Sequence, residues 1–241
     1  MVALANYQAQ TQSLLDDFGA VEYTLANLTT YINDARKQIA GASESIRVEA
    51  QLNLVGGTQQ YPISSVTALP AYVDTLLTAR MARLQTATGF SPIAVRSWEW
   101  FNSFNLCQPT TLTGAPTECA LLQNGTLGIL YFSPIPDKVY TAFLNGVALP
   151  INLVDNTTIE ILSTPWTEAV AYYAAYLALL NAQRSADANA MWSRYLSFEQ
   201  RATQMTTTTR LPGTAPGGVG ARVAGTHMPI TAPPPQTGRS Q

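Results

Sequence analysis

Few residues in this chain have the types and spacing that chemistry needs. Asp16, Asp17 and Glu22 form a short acidic cluster. Paired-carboxylate catalysis needs two carboxyl groups held roughly 5–10 Å apart across a cleft, and residues so close in sequence read instead as helix-end or surface charges. The only histidine, His227, lies in a Pro/Gly-rich C-terminal stretch, so a Ser/His/Asp or Cys/His nucleophile has no framework to orient it. Cys107 and Cys119 are the only thiols, and two thiols without further ligands do not complete a tetrahedral zinc site. They bracket "QPTTLTGAPTE" and either clip that stretch in an oxidising medium or stay free. In "SWEWFNSF", Trp98 and Trp100 share a strand parity. Such rings serve as core or interface anchors, with a sugar-stacking platform as the alternative. No phosphate-loop or dinucleotide glycine fingerprint is present, and neither cofactor nor metal is expected.

Composition points toward assembly. Of 241 residues 46% are hydrophobic and 12% charged, about half the usual charged share of roughly 25%. Charge keeps monomers soluble, so a weakly charged chain of this size is expected to hide surface against neighbours. A net charge of −2 provides no basic stripe for reading nucleic acid. The uncharged stretch from Ala169 to Arg184 is too short for a comfortable membrane span. "MVALANYQAQTQ" lacks the basic region and apolar length of a signal peptide, so a protein made and, at least initially, kept in the cytoplasm is expected.

The elements follow from periodicity. Leu25, Leu28, Ile32, Ala35 and Ile39 recur at threes and fours, with Thr24 as cap and Gly41 as stop, which predicts a helix. Ile46, Val48, Ala50, Leu52 and Leu54 alternate, and Gly56-Gly57 predicts a hairpin returning through Tyr61 and Ile63, with Pro62 marking an edge. Val73, Leu77, Met81 and Leu84 predict a middle helix over about 69–88. Strands are expected over 93–163, apart from a loop at 107–120 and with a short helix as the alternative at the end of "IAVRSWEWFNSF", with a turn at Asn145-Gly146 and a last strand in "TTIEIL". Thr164 and Pro165 open a helix carrying a Val170, Tyr173, Leu177 and Leu180 stripe, with Tyr172, Tyr176 and Leu179 beside it. After "QRSAD", Ala188, Met191, Tyr195, Phe198, Ala202 and Met205 mark the second member of an antiparallel pair.

The expected fold class is therefore α+β. A helical bundle (about 14–42, 69–88 and 164–206) carries an inserted antiparallel β subdomain (46–66 and 93–163), making one folded domain over 1–206. Residues 207–241 hold six prolines, six glycines and no acidic residue. Such a segment cannot bury enough apolar surface to offset its chain entropy, and it reads as an extended tail for a partner's groove or as a solubilising end.

Three phrases in order carry a resemblance: "LLDD" followed by "LTTYINDARKQIA", then "GILYFSPIPDKVYTAFL", then "WTEAVAYYAAYLALL". Over about residues 14–206 the chain resembles the head-to-tail adaptor (connector) proteins of tailed bacteriophages, especially the short-tailed type. The resemblance implies a structural virion protein at the neck: a ring of typically twelve copies between portal and tail nozzle. Such a ring retains packaged DNA and passes it at ejection without binding it specifically. Tail fibres are a further partner in that picture, and a membrane is not. C-terminal extensions of such proteins run onto the portal, which makes Arg210, Leu211, Arg222, Val223, Met228 and Ile230 candidate portal contacts. Tyr172, Tyr176, Trp192 and Tyr195 are the candidate subunit contacts. An enzyme is not expected. The alternatives from other classes are a virion-associated wall hydrolase using Glu22, Glu44 or Glu49, and a carbohydrate-binding module using Trp98 and Trp100. The "CQPTTLTGAPTEC" insertion and the tail depart from the family pattern.

Overall fold

The computed structural model describes residues 4–105, 112–123, 125 and 127–208. Among these are five α-helices: α1 (Leu4–Leu15), α2 (Leu25–Ser43), α3 (Trp98–Asn105), α4 (Thr164–Asn181) and α5 (Ser185–Thr208). The strands are β1 (Arg47–Leu54), β2 (Gln60–Pro62), β3 (Val73–Thr86), β4 (Gly89–Arg96), β5 (Thr113–Gly114), β6 (Glu118–Leu121), β7 (Ile129–Ser133), β8 (Ile135–Pro136) and β9 (Tyr140–Pro150). The fold is mixed α+β, as expected, with a larger share of sheet.

Seven strands form one sheet in the order β1-β9-β3-β4-β6-β7-β2, antiparallel except for β4 against β6. Its edge strands are joined by residues 55–59 alone, a span that reaches only about 20 Å even when extended. The backbones of Gln51 and Thr67 exchange hydrogen bonds of 2.9 and 2.6 Å. The sheet must therefore curl until its two ends meet. The expected hairpin is corrected here. Gly57 does turn the chain at φ +79°, but β1 pairs with β9 and β2 pairs with β7. The Tyr61 hydroxyl holds the turn by accepting from the Val55 N–H at 2.8 Å. Pro62 does lie on an edge strand.

The middle helix over 69–88 is also corrected: that segment is β3. Against β9 its register slips between Val73 and Thr75, Leu76 and Thr78, and Ala79 and Met81. Each bulge inserts one unpaired residue. Three in succession turn the strand period of two into a period of three, so Val73, Leu76, Ala79 and Ala82 are buried while Met81 is 68% exposed. Bulged strand and helix thus leave nearly the same apolar spacing.

The Asn145-Gly146 turn is absent for a related reason. Both residues lie within β9, and the Thr78 carbonyl oxygen at a bulge occupies the place a Cβ on Gly146 would need. The glycine serves close approach, not a turn.

In α2, Leu28, Ile32, Ala35 and Ile39 are fully buried, as their spacing predicts. Each large side chain among them contributes about 1.5–3 kcal/mol by leaving water. The Thr24 side chain accepts from the Asn27 N–H at 3.3 Å, and the helix ends at Glu44 in the left-handed region rather than at Gly41. Helix α2 packs on both β9 and α4, so it couples sheet to helices, while α1, α2 and α5 all touch α4. The buried side of α4 is Trp166 and Thr167 near its start, then Ala169, Val170, Ala171, Ala174, Ala175, Ala178 and Leu179. This corrects the expected stripe through Leu177 and Leu180, the latter being 43% exposed. Small residues win the interior because they let three helices approach one axis.

Candidate assembly surface

The α4–α5 pair is built by a three-residue turn. The Gln183 N–H donates to the Leu180 carbonyl and the Arg184 N–H to the Leu179 carbonyl, with Gln183 at φ 59°. Tyr172 then stacks on Phe198 at 4.8 Å, Tyr173 meets Tyr195 edge-on at 5.0 Å, and Tyr176 meets Trp192 at 5.0 Å. As positions rise on α4 their partners fall on α5, so the helices run antiparallel as expected.

Of the four candidate subunit contacts, Tyr195 lies inside this seam, where burial first and the Glu199 charge second push its phenol pKa up. Burial likewise raises Tyr173. Tyr172, Tyr176 and Trp192 are half-buried and keep ring surface toward solvent, with Leu180 exposed beyond them. At the other end of the seam, α1, α4 and α5 enclose an open groove of about 540 Å³, walled by Leu14, Ala171, Tyr172 and Phe198 with Glu168 on its rim.

The acidic cluster is structural. The Asp17 carboxylate accepts from the N–H groups of Val21, Glu22 and Tyr23 at 2.9, 3.2 and 2.8 Å. These bonds, that from Tyr23 foremost, hold its pKa below the usual carboxylate range. The loop so fixed presents Phe18 at 73% and Val21 at 89% exposure. Glu22 faces Arg184 at 3.9 Å, Glu44 contacts Arg80, and Glu49 accepts from Arg83 at 2.6 Å. All three carboxylates proposed for hydrolysis thus sit beside surface arginines.

The two tryptophans are in α3, the helical alternative for this stretch and not the strand, because Ser97 opens a helix. Trp98 packs on Tyr131 at 4.7 Å and on Phe101, which is fully buried, and the Arg96 guanidinium sits 4.6 Å over Trp100. Cys119 is a buried free thiol in β6, part of the stretch expected as loop, and burial pushes its pKa up to about 12. Cys107, His227, Arg210, Leu211, Arg222, Val223, Met228 and Ile230 lie outside the described residues.

One cluster went unseen in the sequence. Arg36, 1% exposed, makes a bidentate pair with Glu160 at 2.7 and 3.0 Å and donates to the Ile151 carbonyl at 2.8 Å. Asn33, one turn earlier, accepts from the Leu153 N–H at 2.7 Å and donates to the Leu153 carbonyl at 3.1 Å. Glu160 also accepts from the N–H groups of Ile161 and Leu162. Residues 151–163, expected to include a strand, are therefore irregular, their backbone groups bonded to side chains instead of a ladder. The signal was in "INDAR": two polar residues at i and i+3 inside an otherwise apolar helical face.

No group of metal-ligating side chains occurs among the described residues, and no helix there is long and apolar enough to cross a membrane. What the surface offers is ring area, exposed apolar loops and paired charge, which suit protein contacts. A family model described as SU10 adaptor protein matches residues 4–219. Comparison with curated proteins gives no match.

Proposed function

The chain belongs to the SU10 adaptor protein family, and from that premise we propose that it is a head-to-tail adaptor forming a ring between portal and tail nozzle. Structural rather than catalytic work is what this family implies, with portal and tail proteins as partners. The observation that carries the reading is the extent of the match, which takes in every described helix and strand. In the proposed ring, of twelve copies, each subunit presents two different faces, because a heterologous contact is what closes such a ring by rotation. Tyr176 and Trp192, with Leu180 beyond them, form one face, and Tyr172 and Tyr195 support it from within the seam. The domain over 1–206 makes the ring wall, and the distal tail, with Arg222, Val223, Met228 and Ile230, docks on the portal. Packaged DNA is held above the ring and passes through it.

Negative-stain imaging of the protein alone and mixed with its portal tests this. The expected result is monomer or loose association alone and closed rings on the portal. Portal particles that stay bare at saturating protein would overturn it.

A further inference from the structure

The groove between α1, α4 and α5 has a candidate occupant within the same chain. Helix α5 ends at Thr208, and 33 residues follow it. The family match does not stop with the helix but continues to residue 219. The shared unit of the family therefore includes the segment "TRLPGTAPGGV" (209–219), whereas residues 220–241 lie beyond it.

Position favours the groove as its seat. The antiparallel pairing puts Thr164 level with about residue 205, so the end of α5 runs about three residues past the start of α4. Groove residues Glu168 to Tyr172 lie one to two turns into α4, which places them about 10–17 Å back from Thr208 at 1.5 Å per residue. An extended chain that reverses after Thr208 covers that distance in about three to five residues. Pro212 and Gly213 suit such a reversed, non-helical path.

Charge points the same way. The tail carries Arg210, Arg222 and Arg239 and no acid, so with the whole chain at −2 the remainder stands at −5. Arg210 is the only charge in 209–219, and Glu168 is the only charge among the described residues lining the groove. Glu168 makes no ion pair with a described residue. The groove wall of Leu14, Ala171 and the Tyr172–Phe198 stack is apolar, and Leu211, next to Arg210, is the first large apolar residue after α5.

We propose that residues 209–219 bind the α1–α4–α5 groove of their own chain, Arg210 pairing with Glu168 and the stretch from Leu211 onward lying along the wall that ends at the Tyr172–Phe198 stack. The tail then has two parts, a root fixed on the helices and a distal part free to reach another protein. The root sets where the distal part starts.

The test is a photo-crosslink from the free, full-length protein. Benzoyl-phenylalanine replaces Leu211, and the products are mapped by peptide mass. The expected products join position 211 to peptides holding residues 9–14 or 168–172 of the same chain, in yields independent of concentration. Glu168→Arg lowers that yield about two- to five-fold, the range of a surface pair, and Arg210→Glu added to it restores the yield. Crosslinks to other surfaces overturn the proposal, and so do crosslinks that vanish on dilution, which would mean a second copy supplies the segment. No portal is present, so failure here leaves the ring reading to its own imaging test.

Discussion

Asp17 and Arg36 show how a side chain can be mistaken when only its neighbours in sequence are known. Asp17 sits beside Asp16 like a surface charge, yet its oxygens collect three backbone N–H groups of one loop. Its lowered pKa makes a prediction with a definite sign. The stabilisation is complete above the unfolded carboxylate pKa of about 3.9 and is lost as pH falls through the lower folded value. Asp17→Ala should therefore weaken the protein at neutral pH and flatten its acid limb, as read by thermal unfolding from pH 7 to 2. An unchanged acid limb would remove Asp17 from that role. For the buried pair, Arg36→Met should cost about 3–5 kcal/mol, because Glu160 would be left charged and unpaired. Arg36→Met with Glu160→Gln should cost clearly less than the sum of the single changes, and urea unfolding of the four proteins measures it. Additive costs would mean that the two groups do not act as a pair.

Among the elements, α2 and α5 were legible because their apolar residues keep the helical period and their partners lie on one side. Strand β3 was not. Its three bulges arise from pairing with β9, a strand about sixty residues later, and they convert alternation into a helix-like spacing. The same pairing explains Gly146, whose partner is a carbonyl on β3. Gly146→Ala should force the Thr78 backbone aside at a cost of about 1–3 kcal/mol or more. The corresponding change at Gly57, where the turn is open, should cost through its positive φ alone. Chemical unfolding separates them: a Gly146→Ala protein as stable as its parent would contradict the close approach. In α4, Trp166 is buried near the start, but further along the tyrosines stay at the rim and alanines fill the centre, where the helices approach closely.

For the molecule as a whole, the weakly charged composition fits a chain that completes its surface with other proteins. The half-buried rings at Tyr176 and Trp192 supply one side of such a contact. Trp192→Ala should cost about 2 kcal/mol or more per interface if that ring is an anchor, visible as loss of rings on the portal while the isolated protein keeps its helical signal. Rings of normal occupancy would move the contact elsewhere. Removing residues 220–241 should weaken portal binding and leave the fold unchanged, as binding assays and circular dichroism would report, and full affinity without them would place the portal contact on the folded part.

Local pattern alone determined the helices α2, α4 and α5, the alternating strand β1, the edge position of Pro62 and the family resemblance, since each depends on residues a few positions apart. The order of phrases from "INDAR" to "AYYAAYL" could be read without coordinates. Tertiary structure alone decided that residues 73–86 are a strand, that the sheet curls to bring β1 near β2, and that Asn33 and Arg36 hold residues 151–162. Each of those outcomes depends on which distant backbone groups find one another, and the one-dimensional spacing of apolar residues does not carry that information.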